Sequence, residues 1–262
     1  MEKAHCDNLI DLKQRTSELR VKSIHSNTVS HDEALRAAVL GLIHLNGEGV
    51  ASDPKKGARY LATAVKGGVA QAKHELALLH IKGEDVAYDA RYAIELLKSA
   101  SADGYVASTI SLAELYIFGK HCTRNTEEAM ELLFSVVYQD EPAAMYYIAY
   151  VYDCDPQHKN PFEAAYWYRR AAEHGHFKSQ IRLASLYATG CGVPICRETA
   201  KAFLELALES ASQQDPRFLL WQGERLMAQH ETEFVAQALI KAAADMQHTP
   251  AQRVLLKSGW RA

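Results

Sequence analysis

The chain has 262 residues, 29 Lys and Arg against 32 Asp and Glu, and a formal net charge of −3. That balance lacks the basic excess that nucleic-acid binding requires, so nucleic acid is excluded as the expected partner. A hydrophobic content of 48% supplies a substantial core, yet no run of about 18 apolar residues occurs, so no membrane insertion is expected.

Residues 1–30 open the chain. They carry no apolar signal region, so a cytoplasmic location is expected. Leu9, Leu12, Leu19 and Ile24 stand at loose helical spacing, which predicts an N-terminal helical extension that caps the neighbouring helices. Ser30 with Glu33 three residues on reads as a capping box opening a helix.

From residue 31 the pattern repeats about every 36 residues, a period typical of stacked supersecondary units. Gly47, Gly83, Gly119, Asp155 and Gly190 mark the steps. Before each marker come an aliphatic (Leu40, Leu76, Leu112, Ile148, Leu183), a small residue (Gly41, Ala77, Ala113, Ala149, Ala184) and a ring (His44, His80, Tyr116, Tyr152, Tyr187). Their spacing places them on one stripe of a first helix. After each marker come a small residue (Gly57, Ala93, Ala129, Ala165, Ala200), a bulky one (Tyr60, Leu96, Leu132, Tyr168, Phe203) and a small apolar one (Ala64, Ala100, Val136, Ala172, Ala207). These share one face of a second helix, and the small positions let two helix backbones approach closely. Glycine after the first helix suits a left-handed terminal residue. Pro54 and Pro161 suit the start of second helices, and Pro142, Pro216 and Pro250 the start of first helices. Asp53-Pro54 and Asp215-Pro216 read as N-cap followed by N1.

The expected fold is therefore all-α: about six helix pairs, over 31–68, 69–104, 105–140, 141–175, 176–213 and 214–247. The sixth is looser, with Pro216, Gly223, Leu226 and Ala242 as its fitting positions. Residues 248–262 begin like another first helix and stop, as a C-terminal capping helix would.

The segments AAVLGLIHLNGEGVASDPKKGARYLATAVKGG, ADGYVASTISLAELYIFG and PFEAAYWYRRAAEHGHFKSQIRLASLYATGCGV carry a family likeness. They resemble Sel-1-like repeats, α/α relatives of the tetratricopeptide repeat. That resemblance implies a right-handed superhelical solenoid whose concave surface holds other proteins. Some Cys-rich members of the family are described as hydrolases of β-lactam-like ligands. The regular Cys pair of secreted members is missing here, which sets that activity apart from this chain.

The five cysteines (Cys6, Cys122, Cys154, Cys191 and Cys196) are odd in number and irregular in spacing, which suits a reducing compartment. Four of them, with His121 and His158, fall in or beside the loops joining the helices of a pair. Their offsets differ between repeats and stacked helices stand about 10 Å apart, whereas a zinc site needs its ligands within about 2.3 Å of one point. No metal and no cofactor are expected. No phosphate loop, His-Glu-x-x-His or nucleophile elbow occurs, and no catalytic residue is assigned. His44 and His80 occupy the ring ladder and are read as packing. His174 and His176 are read as cations at a helix C-terminus. Tyr168 and Trp167 are read as core.

In tetratricopeptide-like units, first-helix residues off the packing stripe face the concave side. This selects His74, Leu78, Ile81, Ile110, Glu114, Ile117, Tyr146, Tyr147, Tyr150, Asp153, Ile181 and Ser185, with Lys178 and Arg182 at the rim. Tyr and Ile off the stripe call for a bound peptide or helix, or for burial by tight curvature. Tyr146, Tyr147 and Tyr150 form the expected hot spot, because Tyr offers contact area at low entropic cost. The function expected is a non-enzymatic scaffold or adaptor in a bacterial cytoplasm. A dedicated chaperone or toxin-neutralising protein is the narrower alternative, and a cell-wall-type hydrolase the third. Exposed end faces would also allow homo-oligomers.

Overall fold

The computed structural model describes residues 29–259. The expected N-terminal extension lies outside the described residues except for its last two positions. Among the described residues there are thirteen α-helices and no strand. The chain divides into two compact units, Met1–Arg124 and Asn125–Ala262.

The first unit contains α1 (His31–Asn46), α2 (Pro54–Lys66), α3 (Ala70–Lys82), α4 (Ala90–Ala102) and α5 (Val106–Phe118). The second contains α6 (Thr126–Val136), α7 (Pro142–Cys154), α8 (Pro161–Glu173), α9 (Phe177–Thr189), α10 (Arg197–Glu209), α11 (Pro216–Leu226), α12 (Glu233–Asp245) and α13 (Thr249–Ser258). Short 3-10 turns follow α6 and α10 and precede α12. Most consecutive helices pack on one another within each unit, as an all-α repeat fold requires.

Local chemistry sets the helix ends. Gly47, Gly83, Gly119 and Gly190 terminate α1, α3, α5 and α9 in the left-handed conformation, which a side chain would strain. α7 departs from this, ending into an extended Asp155. Second helices start on a recurring cap: Asp53, Asp89, Asn125 and Asn160 each accept a backbone N–H of the first turn. The N–H of the cap residue in turn donates to the carbonyl of a ring residue. The pairs are Asp53 to His44 at 2.8 Å, Asp89 to His80 at 3.2 Å, Asn160 to Tyr152 at 2.8 Å and Cys196 to Tyr187 at 3.0 Å. The backbone carbonyl at the ring position thus anchors the loop in these four pairs. Pro54, Pro142, Pro161 and Pro216 open their helices, and Pro250 follows Thr249 in α13. Ser30 caps α1 by accepting from the Glu33 N–H at 3.3 Å.

The small positions of the ladder are buried in the first five helix pairs. A Cβ on Gly41 would stand 2.8 Å from Leu61, and one on Gly57 would stand 2.9 Å from the Gly41 carbonyl. α1 and α2 therefore touch backbone to backbone. The sixth pair does the same at Gly223, where a Cβ would meet Ile240 at 2.4 Å and the Ala236 carbonyl at 3.1 Å. This corrects the sequence register. Ala243, not Ala242, is the buried residue of that face. The 3-10 turn Ala211–Gln213 lengthens the approach to α11, and no glycine marks its end.

α13 lays Ala251 and Leu255 against the cluster that holds Ala243, Ala244, Leu239 and Ile240. His44 stacks on Tyr60 with ring centroids 5.6 Å apart, and His80 meets Tyr92 edge-on at 5.1 Å. Tyr168 is almost wholly buried. Trp167 is half-buried against Phe134, with Tyr166 exposed beside it.

Candidate functional site

In the first unit the off-stripe rows of α3 and α5 are only partly open. His74 is buried and its Nδ1 pairs with the Ser108 hydroxyl at 3.0 Å, joining α3 to α5. Burial holds the imidazole below its ordinary pKa, so it is neutral near pH 7. Ile117 is also buried. Leu78, Ile81 and Ile110 are half-buried, and Glu114 is exposed. Of the six residues selected on this unit, His74 therefore serves the contact between α3 and α5, and Ile117 is closed off by burial.

In the second unit the selected residues converge on Tyr146 of α7. Its ring lies 5.2 Å from Tyr147, 6.4 Å from Tyr150, 5.9 Å from Tyr168 and 4.7 Å from His176. Burial, reinforced by the Tyr150 hydroxyl, pushes the Tyr146 phenol up to about 12. Lys178 of α9 places its Nζ 5.8 Å from the Tyr146 ring and 5.4 Å from the Phe218 ring of α11. Arg182, one turn on, donates from Nε and Nη2 to Asp153 at 2.6 and 2.9 Å. Asp153 also accepts from the Tyr168 hydroxyl at 3.2 Å. Burial alone would lower the Arg182 pKa, but these bonds and the Asp153 charge raise it. Ile181 and Ser185 are buried in the stack, so their side chains are not open to a partner.

Three groups of this face belong to α11 and were not selected from sequence: Phe218, Trp221 and Arg225. Trp221 is 53% exposed. The Arg225 guanidinium sits 5.4 Å from the Trp221 ring. It is also close enough to favour the ionised forms of Tyr146 and Cys154. The missed signal was the pairing of ring and cation one turn apart, Trp221 with Arg225. The concave-face selection was not extended to α11, so neither residue was picked out.

His176 is not a helix C-terminal cation. It is the N-cap of α9, its Nδ1 accepting from the Ser179 N–H at 3.3 Å. Burial, with Lys178 alongside, brings its pKa down to about 4, so it is neutral near pH 7.

The cysteines do not share one environment. Cys154 ends α7 on the aromatic face. Burial and Asp153 raise its thiol pKa, so near neutrality it is a thiol rather than a nucleophilic thiolate. Cys122 contacts the Leu115 carbonyl, and Cys196 stands at the N-cap position of α10, where its sulfur accepts from the Thr199 hydroxyl at 3.0 Å. Among the described residues no group of His, Cys, Asp and Glu is placed to hold a metal ion. The arrangement on α7, α9 and α11 suits contact: rings, cations and a satisfied carboxylate over a packed base.

A family model described as Sel1 repeat matches residues 37–69, 70–105, 107–134 and 142–176, half of the chain. Among solved structures, the chain is similar to a Sel1 repeat protein from Oxalobacter formigenes, at 19% identity and a TM-score of 0.67 over 80% of this chain and 84% of that one. It is similar to a protective antigen of uropathogenic Escherichia coli with an SLR fold, at 23% identity and a TM-score of 0.63 over 85% of this chain. The chain spans only 48% of that protein's length. An immunity protein from Pseudomonas aeruginosa matches at 14% identity and a TM-score of 0.51, over 83% of this chain and 84% of that one. No curated protein matches the sequence significantly. The recurring helix pairs, their glycine ends and the matched residues together place this chain in the Sel1 repeat family.

Proposed function

We propose that the chain is a non-enzymatic scaffold or adaptor that holds a peptide or helix of a partner protein against its first helices. Protein binding is the usual role of such repeats. The observation that carries the reading is the face of the second unit, where Tyr146, Lys178, Phe218, Trp221 and Arg225 gather from three helices. A half-exposed Trp beside cations is the composition of an interface centre rather than of a solvated face. A bacterial cytoplasm is the proposed setting. The irregular cysteines suit a reducing compartment, and the similar solved proteins named above come from bacteria. No helix among the described residues is long and apolar enough to cross a membrane.

Copurification from the native host, followed by mass spectrometry, tests the reading. The wild-type chain is expected to retain a partner that Trp221→Ala loses. Equal recovery by both would remove this face as the binding surface. A narrower version is a dedicated chaperone or toxin-neutralising protein, which the likeness to a P. aeruginosa protein described as an immunity protein supports. The narrower version predicts one tight complex of fixed stoichiometry, which native mass spectrometry would separate from several weak ones.

A further inference from the structure

We propose that the partner of this face is acidic: an amphipathic helix whose carboxylates pair with Lys178 and Arg225 while an apolar side chain covers Trp221. The proposal rests on the protein-binding reading above and names the chemistry of the partner.

Charge sets this face apart. The whole chain is net negative, at −3, yet α9 and α11 bring Lys178, Arg182 and Arg225 to one face. Arg182 is already committed, with two of its donors on Asp153. Asp153 in turn is filled by Arg182 and Tyr168 and has little left to offer Lys178 or Arg225. Among the described residues, neither Lys178 nor Arg225 has a carboxylate within ion-pair distance. Each is instead held over rings, Lys178 between Tyr146 and Phe218 and Arg225 over Trp221. Both residues are exposed. Two cations therefore stand in place, partly ordered, with no counter-charge of their own.

Ring contacts lower the entropic cost of adding a partner, because the long side chains are already confined. The local positive field, set against the chain's overall charge, favours approach of an acidic surface and repels a basic one. The rings decide the class of anion. A nucleic acid is held by a run of cations along its phosphates, whereas this face has two open cations beside a half-exposed indole. A carboxylate-bearing peptide with an apolar face matches both features. Trp221 and Arg225 lie one helical turn apart, as do Lys178 and Arg182, and a partner helix repeats its contacts at that same spacing.

A displayed library of random peptides, selected on the full chain, gives the test. Selection is run on the wild type and on Lys178→Glu/Arg225→Glu, with Lys178→Gln/Arg225→Gln as a milder pair and circular dichroism as the fold control. Wild type should enrich peptides rich in Asp and Glu with apolar residues at helical spacing. By fluorescence anisotropy, the best peptide should weaken at least about tenfold on the Glu variant, and by a comparable amount when its own Glu residues become Gln. Added salt should weaken it further. Enrichment of neutral or basic peptides, or equal binding by the variants, overturns the acidic partner but leaves protein binding standing. So does equal competition by a single-stranded oligonucleotide or by anionic phospholipid vesicles, which would make the face a general polyanion site. No enrichment over a bait-free control also overturns it, and an empty copurification from the host would then remove the protein-binding reading as well.

Discussion

Asp153 shows how much one carboxylate can organise. It accepts from Arg182 twice and from Tyr168, tying α7 to α8 and α9. Asp153→Asn would leave the Arg182 charge partly buried and half-partnered. A loss of about 2–4 kcal/mol is expected, below the full cost of breaking a buried pair because Arg182 retains some contact with water. Urea denaturation measures it.

His176 makes a pH prediction. Its folded pKa, about 4, lies below the ordinary 6.5. Between these values the unfolded chain takes up a proton that the folded chain refuses, so acid favours unfolding. The stability from this residue is complete above about pH 6.5 and is lost as pH falls toward 4. His176→Asn keeps an N-cap oxygen and cannot titrate. Thermal melts of the variant across that window should show a flatter acid limb than wild type.

At the scale of the element, the caps carry the repeat. Four second helices begin on Asp or Asn, but α10 begins on Cys196, whose side chain makes no capping hydrogen bond to the backbone. Cys196→Asn should restore the bond its counterparts make and stabilise the protein by about 1 kcal/mol. For a chain of this size that corresponds to a rise of about 2–4 °C in Tm, readable by calorimetry. These helix ends were legible in the sequence because cap, proline and glycine preferences act within a few residues. The sixth pair was misaligned at Ala242, because its register depends on a 3-10 turn and on the fit of Gly223 against Ile240. Neither leaves a local signature.

Across the molecule, a repeat chain distributes stability by neighbour contacts. Leu61 is wholly buried between α1 and α2. Leu61→Ala is expected to cost about 2–5 kcal/mol. Hydrogen exchange should quicken most in α1–α4, with α10–α13 little changed, since those helices share no contact with the cavity. Uniform acceleration along the chain would show that the whole chain unfolds as one cooperative unit.

Much of this protein was decided by sequence alone. The period, the small-residue ladders, the prolines and the glycine ends specify helix pairs, because each acts through spacing along one helix or one turn. Tyr146, Tyr147, Tyr150, Lys178 and Arg182 were legible as candidates for the same reason. Tertiary structure decided which candidates face outward. It buried His74, Ile117, Ile181 and Ser185, and it joined Asp153 to Arg182 and Lys178 to Phe218 across repeats. It also brought Trp221 and Arg225 to the site. Those outcomes depend on how successive first helices stack, and that is set by side chains a whole repeat apart, where periodicity gives the neighbour but not the contact.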